Sequence, residues 1–152
     1  MKEEIKVVGL EGMNYMFVFD EFRPREEMEV KVYVDDLFNA VFNKEYDLFK
    51  GLFFSKIEVP GGEDISYRTV IKKLKLFAEA FDEIKVERAD FTIDRQFADE
   101  AKVTCDIEFV ATIQGSRETV PFSGIAKFFM VETSDNGPWK IRALDFPGVN
   151  FS

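Results

Sequence analysis

Histidine is absent from this chain of 152 residues. Imidazole is the commonest metal ligand and the commonest general base in proteins, so its absence excludes every catalytic triad or dyad built on histidine. The acid-rich stretches, such as Asp35-Asp36 and Asp99-Glu100, lack the loop spacing of EF-hand calcium ligands. We therefore expect no metal site and no cofactor.

Cysteine occurs once, as Cys105. A single cysteine excludes an internal disulfide and fits a reducing compartment. Apolar runs of membrane-spanning length are also lacking. The first residues, Met1 to Glu4, carry neither the basic region nor the apolar core of a secretion signal. These features together predict a cytoplasmic protein.

Positive charge is in short supply. The chain has 20 Lys and Arg against 29 Asp and Glu, for a net charge of −9. Nucleic acids and anionic membrane surfaces are bound by clusters of Lys and Arg. We therefore expect neither nucleic acid nor a membrane as a partner.

Phenylalanine, by contrast, is abundant, with 18 copies against one Trp and four Tyr. Phe buries a large area and carries no polar group, so the core should be apolar and poor in internal hydrogen bonds. The apolar fraction of 46% and the charged fraction of 32% are typical of a globular chain. The length fits a single domain over residues 1–152, because no repeat, low-complexity stretch or linker interrupts it.

The N-terminal extension, residues 1–24, contains two β-rich runs around a turn with Gly and Asn. This pattern favours a hairpin, with a buried helix as the alternative for the second run, Tyr15–Phe19. Pro24 then breaks the chain.

Three helices are predicted in the first half of the chain, over 25–42, 45–53 and about 67–81. The first carries apolar residues at helical spacing, among them Val30, Val34 and Leu37. Before the third helix, Pro60-Gly61-Gly62 marks a tight turn between two short extended segments within 57–65.

From Ile84 onward the apolar period becomes two, the period of a strand. Four antiparallel strands are predicted, over 84–95, 101–113, 118–131 and 139–146. The second and third are joined through Gly115-Ser116, which suits a type II′ hairpin turn, and the turn fixes the register. The predicted pairs are Ala111–Val120, Phe109–Phe122, Ile107–Gly124, Cys105–Ala126 and Val103–Phe128 on an apolar face, and Glu108–Ser123, Asp106–Ile125, Thr104–Lys127 and Lys102–Phe129 on the other.

The strand before this hairpin must add Phe91 and Ile93 to the same apolar face, which requires an odd-length loop through Phe97-Ala98-Asp99. The last strand follows a turn over Asp135–Pro138. Its facing is not fixed, because apolar residues lie on both of its faces.

Three helices, a short strand pair among them and a four-stranded meander resemble the nuclear-transport-factor-type superfamily, a cystatin-like group that includes ketosteroid isomerase and scytalone dehydratase. The resemblance covers about 25–146. It includes the ending Trp139-Lys-Ile-Arg-Ala-Leu-Asp145-Phe, similar to the W-K-I-x-x-L last strand common in such domains. It implies a cone-shaped α+β fold over 25–152, with three helices packed on a curved four-stranded antiparallel meander and 1–24 as an extra hairpin or extension. Family members use the cone for catalysis, for ligand binding or for nothing known, so the fold does not decide the function.

The predicted concave face would line a hydrophobic pocket in this cone. Its residues are Tyr33, Leu37, Val103, Cys105, Ile107, Phe109, Phe122 and Phe128. Few polar groups converge there, whereas an active site needs some. These side chains therefore either bind an apolar small molecule or simply fill the cone as core. Cys105 has no evident cationic neighbour and should behave as a small apolar residue.

An isomerase-like site would need a carboxylate base and a hydroxyl that stabilises an oxyanion. Tyr33 could supply the hydroxyl, and Asp90, Asp106 or Asp145 the carboxylate. Asp90 and Asp106 alternate with inward-facing apolar residues and should point away from the cone, whereas the facing of Asp145 is open. We expect these acids to be solvated strand residues, and no residue is assigned a catalytic role.

The opposite face of the meander, which should meet water, also carries apolar residues: Val110, Ile125, Phe129 and Val131. Exposed apolar area of this kind usually marks an interface, and many relatives in the resembled superfamily pair through this face. We therefore expect a homodimer and a non-catalytic domain, which binds an apolar small molecule or serves as an interaction module. The alternative is a small-molecule isomerase or dehydratase that uses carboxylate and tyrosine groups.

Overall fold

The computed structural model describes residues 2–8, 16–19, 25–134 and 137–151. Two α-helices, α1 (Arg25–Phe42) and α2 (Tyr67–Glu79), pack against one face of a sheet of eight strands. The strands are β1 (Lys2–Val8), β2 (Met16–Phe19), β3 (Phe53–Glu58), β4 (Asp64–Ser66), β5 (Phe81–Phe97), β6 (Glu100–Ile113), β7 (Thr119–Glu132) and β8 (Trp139–Asp145). Within these ranges no helix is long and apolar enough to cross a membrane.

The sheet is larger than the predicted four-stranded meander. The meander β5-β6-β7-β8 forms its centre, and the full order is β2-β1-β5-β6-β7-β8-β3-β4. β1 and β2 form the expected N-terminal hairpin, and β1 also pairs with β5. At the other side β3 pairs in parallel with β8. The prediction of four strands was wrong because the partners of β1 and β3 lie far away in the sequence, where local alternation carries no information.

The prediction of three α-helices was also wrong, because the segment 45–53 forms only a four-residue 3₁₀ helix, Tyr46–Phe49. Lys44 before it and Gly51 after it have positive φ angles of 56° and 75°, and this left-handed conformation does not continue a right-handed helix. The chain then joins the sheet, where the Ile141 amide donates to the Leu52 carbonyl at 2.8 Å. The other two predicted helices correspond to α1 and α2.

The short strand pair before α2 is confirmed, since Ile57 of β3 lies opposite Ile65 of β4. At the turn between them, the Gly62 amide donates to the Val59 carbonyl at 3.1 Å. The Gly/Asn turn of the N-terminal hairpin, the break at Pro24 and the turn residues 135–136 lie outside the described residues.

The register predicted for β6 and β7 is confirmed, and all nine predicted pairs occur. The turn between them is not the predicted type II′ turn. The Ser116 amide donates to the Ile113 carbonyl at 3.0 Å, and Gly115, with a φ of 72°, is the third residue of this turn. The Gly115 amide also donates to the Asp82 carboxylate at 3.0 Å. Contact with the start of β5 therefore shapes the turn, while the number of loop residues still fixes the register.

A register shift in β5 changes which of its side chains face the helices. Val86 lies opposite Phe109, but Arg88 lies opposite Glu108, so one extra residue interrupts the alternation. Such a bulge bends the strand and increases its twist. Beyond it, Phe91 and Ile93 join the apolar face of β6 as predicted, and a second shift near the end of β5 supplies the odd-length loop.

A similar shift settles the facing of β8. Phe129 of β7 lies opposite Ala143, whereas the next residue, Met130, lies opposite Ile141. As a result Ile141 and Leu144 are both buried although they are three residues apart. The extra residue in β8 thus explains why strict alternation places apolar residues on both faces of this strand.

Phenylalanine rings fill the space between the helices and the inner face of the sheet. Neighbouring rings have centroids 4.9–6.2 Å apart, in stacked, tilted and edge-on arrangements. The rings come from both helices, from β5, β6 and β7 and from the segment after β8: Phe38, Phe42, Phe77, Phe81, Phe91, Phe109, Phe122, Phe128 and Phe146. We call this set the phenylalanine cluster.

Gly148 lies beneath this cluster and provides a test of its packing. Its φ is 85°, and a Cβ there would lie 2.8 Å from ring atoms of Phe77 and Phe122. Gly148→Ala should lower the free energy of unfolding by about 2–5 kcal/mol, because the left-handed backbone costs about 1–2 kcal/mol and overpacking of the core about 1–3 kcal/mol. Urea denaturation measures the loss.

The matched control is Gly115→Ala. Gly115 also has a positive φ, but a Cβ there would have nothing within 4 Å. This variant should lose only the backbone contribution, about 1–2 kcal/mol. Equal losses in the two variants would show that the rings above Gly148 are loosely packed.

Candidate functional site

The residues predicted to line a pocket lie in the hydrophobic core, between the sheet and the helices. Six are buried, namely Leu37, Val103, Cys105, Ile107, Phe109 and Phe128, while Tyr33 and Phe122 are half-buried and pack against them. Phe109 stacks on Phe122 with centroids 4.9 Å apart, and Phe42 contacts Phe109 at 5.1 Å. In the described part of the chain these side chains therefore pack against one another as core.

Cys105 is fully buried on the inner face of β6. Burial raises the pKa of its thiol well above the usual range, and the carboxylates of Asp90 and Asp106 raise that pKa further. A nucleophilic cysteine needs the opposite shift and access to solvent. The geometry therefore gives Cys105 the role of a small apolar core residue, as the sequence indicates.

The sheet separates the tyrosine and the carboxylate that the isomerase-like hypothesis would bring together. Tyr33 is on α1 and packs against the core on the inner side. Asp145 of β8 lies opposite Lys127 of β7, on the outer side. Asp90 and Asp106 also face outward, as predicted, and lie opposite each other on β5 and β6.

Two other titratable groups, both on the helical side, have perturbed pKa values. Burial raises the pKa of the Asp36 carboxyl, and the nearby Glu45 raises it further. Burial likewise raises the pKa of Tyr46, and the negative charge of the nearby Glu79 raises it further. Neither group could be predicted from the sequence, because the neighbours Glu45 and Glu79 lie in other segments, before the 3₁₀ helix and at the end of α2.

An acidic cluster lies on the outer face of β5 and β6, around one guanidinium. Arg88 donates hydrogen bonds to Asp106 at 3.0 Å, to Glu108 at 3.3 Å and to Asp90. These bonds, led by the one to Asp106, raise the pKa of Arg88 above its usual range. Three carboxylates thus share one permanent positive charge, so the cluster as a whole is negatively charged.

A groove of about 340 Å³ opens on the same outer face, beside this cluster. Its floor includes Phe129 of β7 and Ala143 of β8, which lie opposite each other. Its rim carries two lysines from the meander, two carboxylates and the turn after β3: Lys102, Lys127, Glu58, Asp145, Val59 and Pro60. The sequence did not reveal this groove, because it depends on the parallel pairing of β3 with β8.

The apolar residues of the outer face differ in accessibility. Ile125 is 50% exposed, whereas Val110 and Phe129 are half-buried and Val131 is buried at 9%. Phe97, at the turn from β5 to β6, is 68% exposed and was not among the predicted interface residues. Its exposure could have been predicted from its position in the odd-length loop. Among the described residues, no three His, Cys, Asp or Glu side chains gather closely enough to hold a metal ion.

Comparison with known proteins identifies the fold. No protein-family model and no curated protein matches the chain. Among solved structures, a nuclear transport factor 2-like superfamily protein from Salmonella enterica superposes with a TM-score of 0.62 and 16% identity, over 78% of this chain and 87% of that one. The chain has the nuclear transport factor 2-like fold.

Other structures with the nuclear transport factor 2-like fold are equally similar. A conserved protein from Planctomyces limnophilus gives a TM-score of 0.64 at 12% identity, over 84% of this chain and all of that one. A hexachlorocyclohexane dehydrochlorinase from Novosphingobium barchaimii gives 0.60 at 8% identity, over 82% and 89%. Likeness at such low identity establishes the fold alone and assigns no catalytic residue here.

The shift in the pKa of Cys105 has a measurable consequence for stability. Its thiol stays protonated in the folded state, whereas in the unfolded chain it ionises above about pH 8.5. The contribution of Cys105 to stability is therefore complete below that pH. It should fall by up to about 1.4 kcal/mol per pH unit above it, because the unfolded state alone loses the proton.

Urea denaturation of the wild type and of Cys105→Ala from about pH 7 to pH 10 checks this expectation. The difference between the two free energies of unfolding should be constant up to about pH 8.5 and then narrow. A difference that stays constant up to pH 10 would mean that the thiol ionises in the folded protein.

Proposed function

We propose that this protein is a non-catalytic interaction module that forms a homodimer through the outer face of its sheet. The observation that carries the proposal is the division between the two faces. The inner face is filled by the phenylalanine cluster, whereas the outer face combines exposed apolar residues, a groove and clustered charges. We place it in the cytoplasm, since its lone cysteine suits a reducing compartment.

The outer face has the composition of an interface. Ile125 lies next to the acidic cluster, opposite Asp106, and Phe129 forms the floor of the groove. Apolar residues within a polar surround are typical of surfaces that associate reversibly. Val131 contributes less than the sequence suggests, because the protein's own fold already buries it.

A small-molecule isomerase or dehydratase is the second candidate. The similarity to a dehydrochlorinase favours it, since the same fold there holds an enzyme. It requires the phenylalanine cluster to open, or a site outside it that uses groups such as Asp36 and Tyr46. Binding of an apolar ligand in the cone would also require the phenylalanine cluster to open, because the predicted pocket residues, among them Leu37 and Phe128, are buried in the core. A filled cone supports the interaction module over both.

Ile125→Lys tests the proposed dimer. In one copy the new ammonium would lie opposite Asp106, so the sheet should keep its stability. At the interface it would place a charge where apolar contact is needed. The dissociation constant of the dimer should rise at least about tenfold, which corresponds to about 1.4 kcal/mol. Sedimentation equilibrium at tens of micromolar measures it.

Leu76→Lys is the matched control. Leu76 on α2 is 58% exposed, similar to Ile125, but it lies on the helical side of the molecule. This variant should dimerise like the wild type. A monomeric wild type at tens of micromolar contradicts the proposed function, and equal weakening by both variants places the interface elsewhere.

A further inference from the structure

Helix α2 concentrates positive charge in a chain that is negative as a whole. Its 13 residues contain four basic side chains, Arg68, Lys72, Lys73 and Lys75, and one acid, Glu79, whereas the net charge of the chain is −9. Arg68, Lys72 and Lys75 recur at intervals of four and three residues, so they share one face of the helix. We call these three residues the basic stripe.

The basic stripe begins where a helix ordinarily favours acids. Ser66 caps α2 by accepting a hydrogen bond from the Arg68 amide at 3.3 Å, and the first turn contains no acid. The helix dipole disfavours a positive side chain such as that of Arg68 at this end. A charge that its own helix disfavours is expected where binding needs it. The dipole and the guanidinium together attract negative charge.

A groove of about 330 Å³ runs along the basic stripe. Its lining residues all belong to α2: Arg68, Ile71, Lys72, Lys75, Leu76 and Glu79. The helical spacing places Ile71 and Leu76 on opposite sides of the stripe, and Leu76 is 58% exposed. Positive charge therefore runs along the middle of this surface, with apolar area on each side.

The one acid that lines this groove, Glu79, lies at the C-terminal end of α2. At that end the Lys75 ammonium lies 5.2 Å from the centroid of the Tyr46 ring. Even when the charge of Glu79 is counted against Lys75, the charges of Arg68 and Lys72 remain. Neither of these two residues forms an ion pair with a carboxylate within the described part of the chain.

Resting on the proposed function of an interaction module, we infer that α2 binds an acidic amphipathic helix of a partner protein. The distance from Arg68 to Glu79 along the helix is about 16 Å, so about three turns of a partner helix cover the groove. Carboxylates along one face of that helix bind Arg68 and Lys72, and apolar residues beside them contact Ile71 and Leu76. The partner is thereby defined by its chemistry.

A short protein segment fits this surface better than a nucleic acid or a membrane does. The net charge of −9 repels a long polyanion wherever it extends beyond the basic stripe. A helix that binds membranes inserts its apolar face into the lipid, whereas the apolar face of α2 is buried in the core: Val70, Leu74, Phe77 and Ala78. An acidic segment of about three turns needs only the groove.

Selection from a displayed library of random peptides, each about four helical turns long, tests the inference with purified wild-type protein as the target. The enriched peptides should carry Asp or Glu at intervals of three or four residues, with apolar residues beside them. Fluorescence anisotropy should show that Arg68→Glu, Lys72→Glu binds them at least about tenfold more weakly, because like charges then meet. Enriched peptides without acids, or equal affinity for this variant, would overturn the inference.

The matched control is Lys85→Glu, Lys102→Glu. It changes the net charge equally, but these two lysines lie on the outer face of the meander, opposite Val110 and Phe129. This control should bind the selected peptides like the wild type. Equal weakening by the two double variants would mean that net charge alone attracts the peptides, which would also overturn the inference.

A second pair of variants tests the apolar contact. Leu76→Gln should weaken peptide binding, because it removes an exposed apolar side chain of the groove. Val32→Gln should not, because Val32, which is 56% exposed, lies on α1 and does not line the groove. Unchanged binding by Leu76→Gln would show that charge alone holds the peptide and would contradict the amphipathic partner.

Urea denaturation first establishes that the variants are folded. The midpoint of Arg68→Glu, Lys72→Glu should be no lower than that of the wild type, because a negative charge in the first turn of α2 suits the helix dipole. If this variant does not fold, the neutral Arg68→Gln, Lys72→Gln takes its place, and unchanged peptide binding by that variant overturns the inference.

The other outcomes separate this inference from the rest of the account. Binding of phosphatidylserine vesicles or of a single-stranded DNA oligonucleotide through Arg68 and Lys72, with no acidic peptide enriched, would overturn the protein partner. A monomeric wild type that still binds acidic peptides would contradict the proposed dimer alone, because α2 lies on the other side of the sheet. A dimer that enriches no acidic peptide would contradict this inference alone.

Discussion

The contact among the phenylalanine rings is the constraint on which the rest of the structure depends. Rings from both helices and from the meander meet at 4.9–6.2 Å, so each helix can pack on the sheet only in a position that lets the rings interlock. Aromatic pairs add about 0.5–1.5 kcal/mol each to the area that they bury. The bulges in β5 and β8 also contribute to this packing, because they bend the sheet and turn Phe91 and Leu144 toward the helices.

The described inner face of the sheet is apolar, and the clustered charges lie on its outer face. The buried thiol of Cys105 stays protonated, and the half-buried Tyr33 is separated by the sheet from Asp145. Charge, accessible apolar area and an open groove occur together on the outer face. The same fold holds a dehydrochlorinase in one similar structure, so the difference in function that we propose lies in the side chains that occupy the cone and not in the backbone.

The alternation of apolar and polar residues predicted those parts of the fold that depend on contacts between residues close in sequence. The alternation around Gly115 determined every pair between β6 and β7, because loop length alone fixes register even though the turn type differs. It could not predict the extra residues in β5 and β8, which exchange the two faces of a strand partway along. The parallel pairing of β3 with β8 depends on contacts distant in sequence, so the groove beneath Val59 could not be predicted. Of the outer surface, Ile125 and Phe129 were identified by alternation, whereas Arg88 became significant only when the pairing of β5 with β6 placed it among three carboxylates.

Native mass spectrometry of the freshly purified protein, compared with its denatured mass, tests the central claim most directly. A filled cone and an associating outer face together predict a dimer whose mass is twice that of the chain, with nothing added. A monomer that carries extra mass, which is lost on denaturation, would contradict the account. It would mean that the phenylalanine cluster opens around a small molecule and that the cone is the functional site.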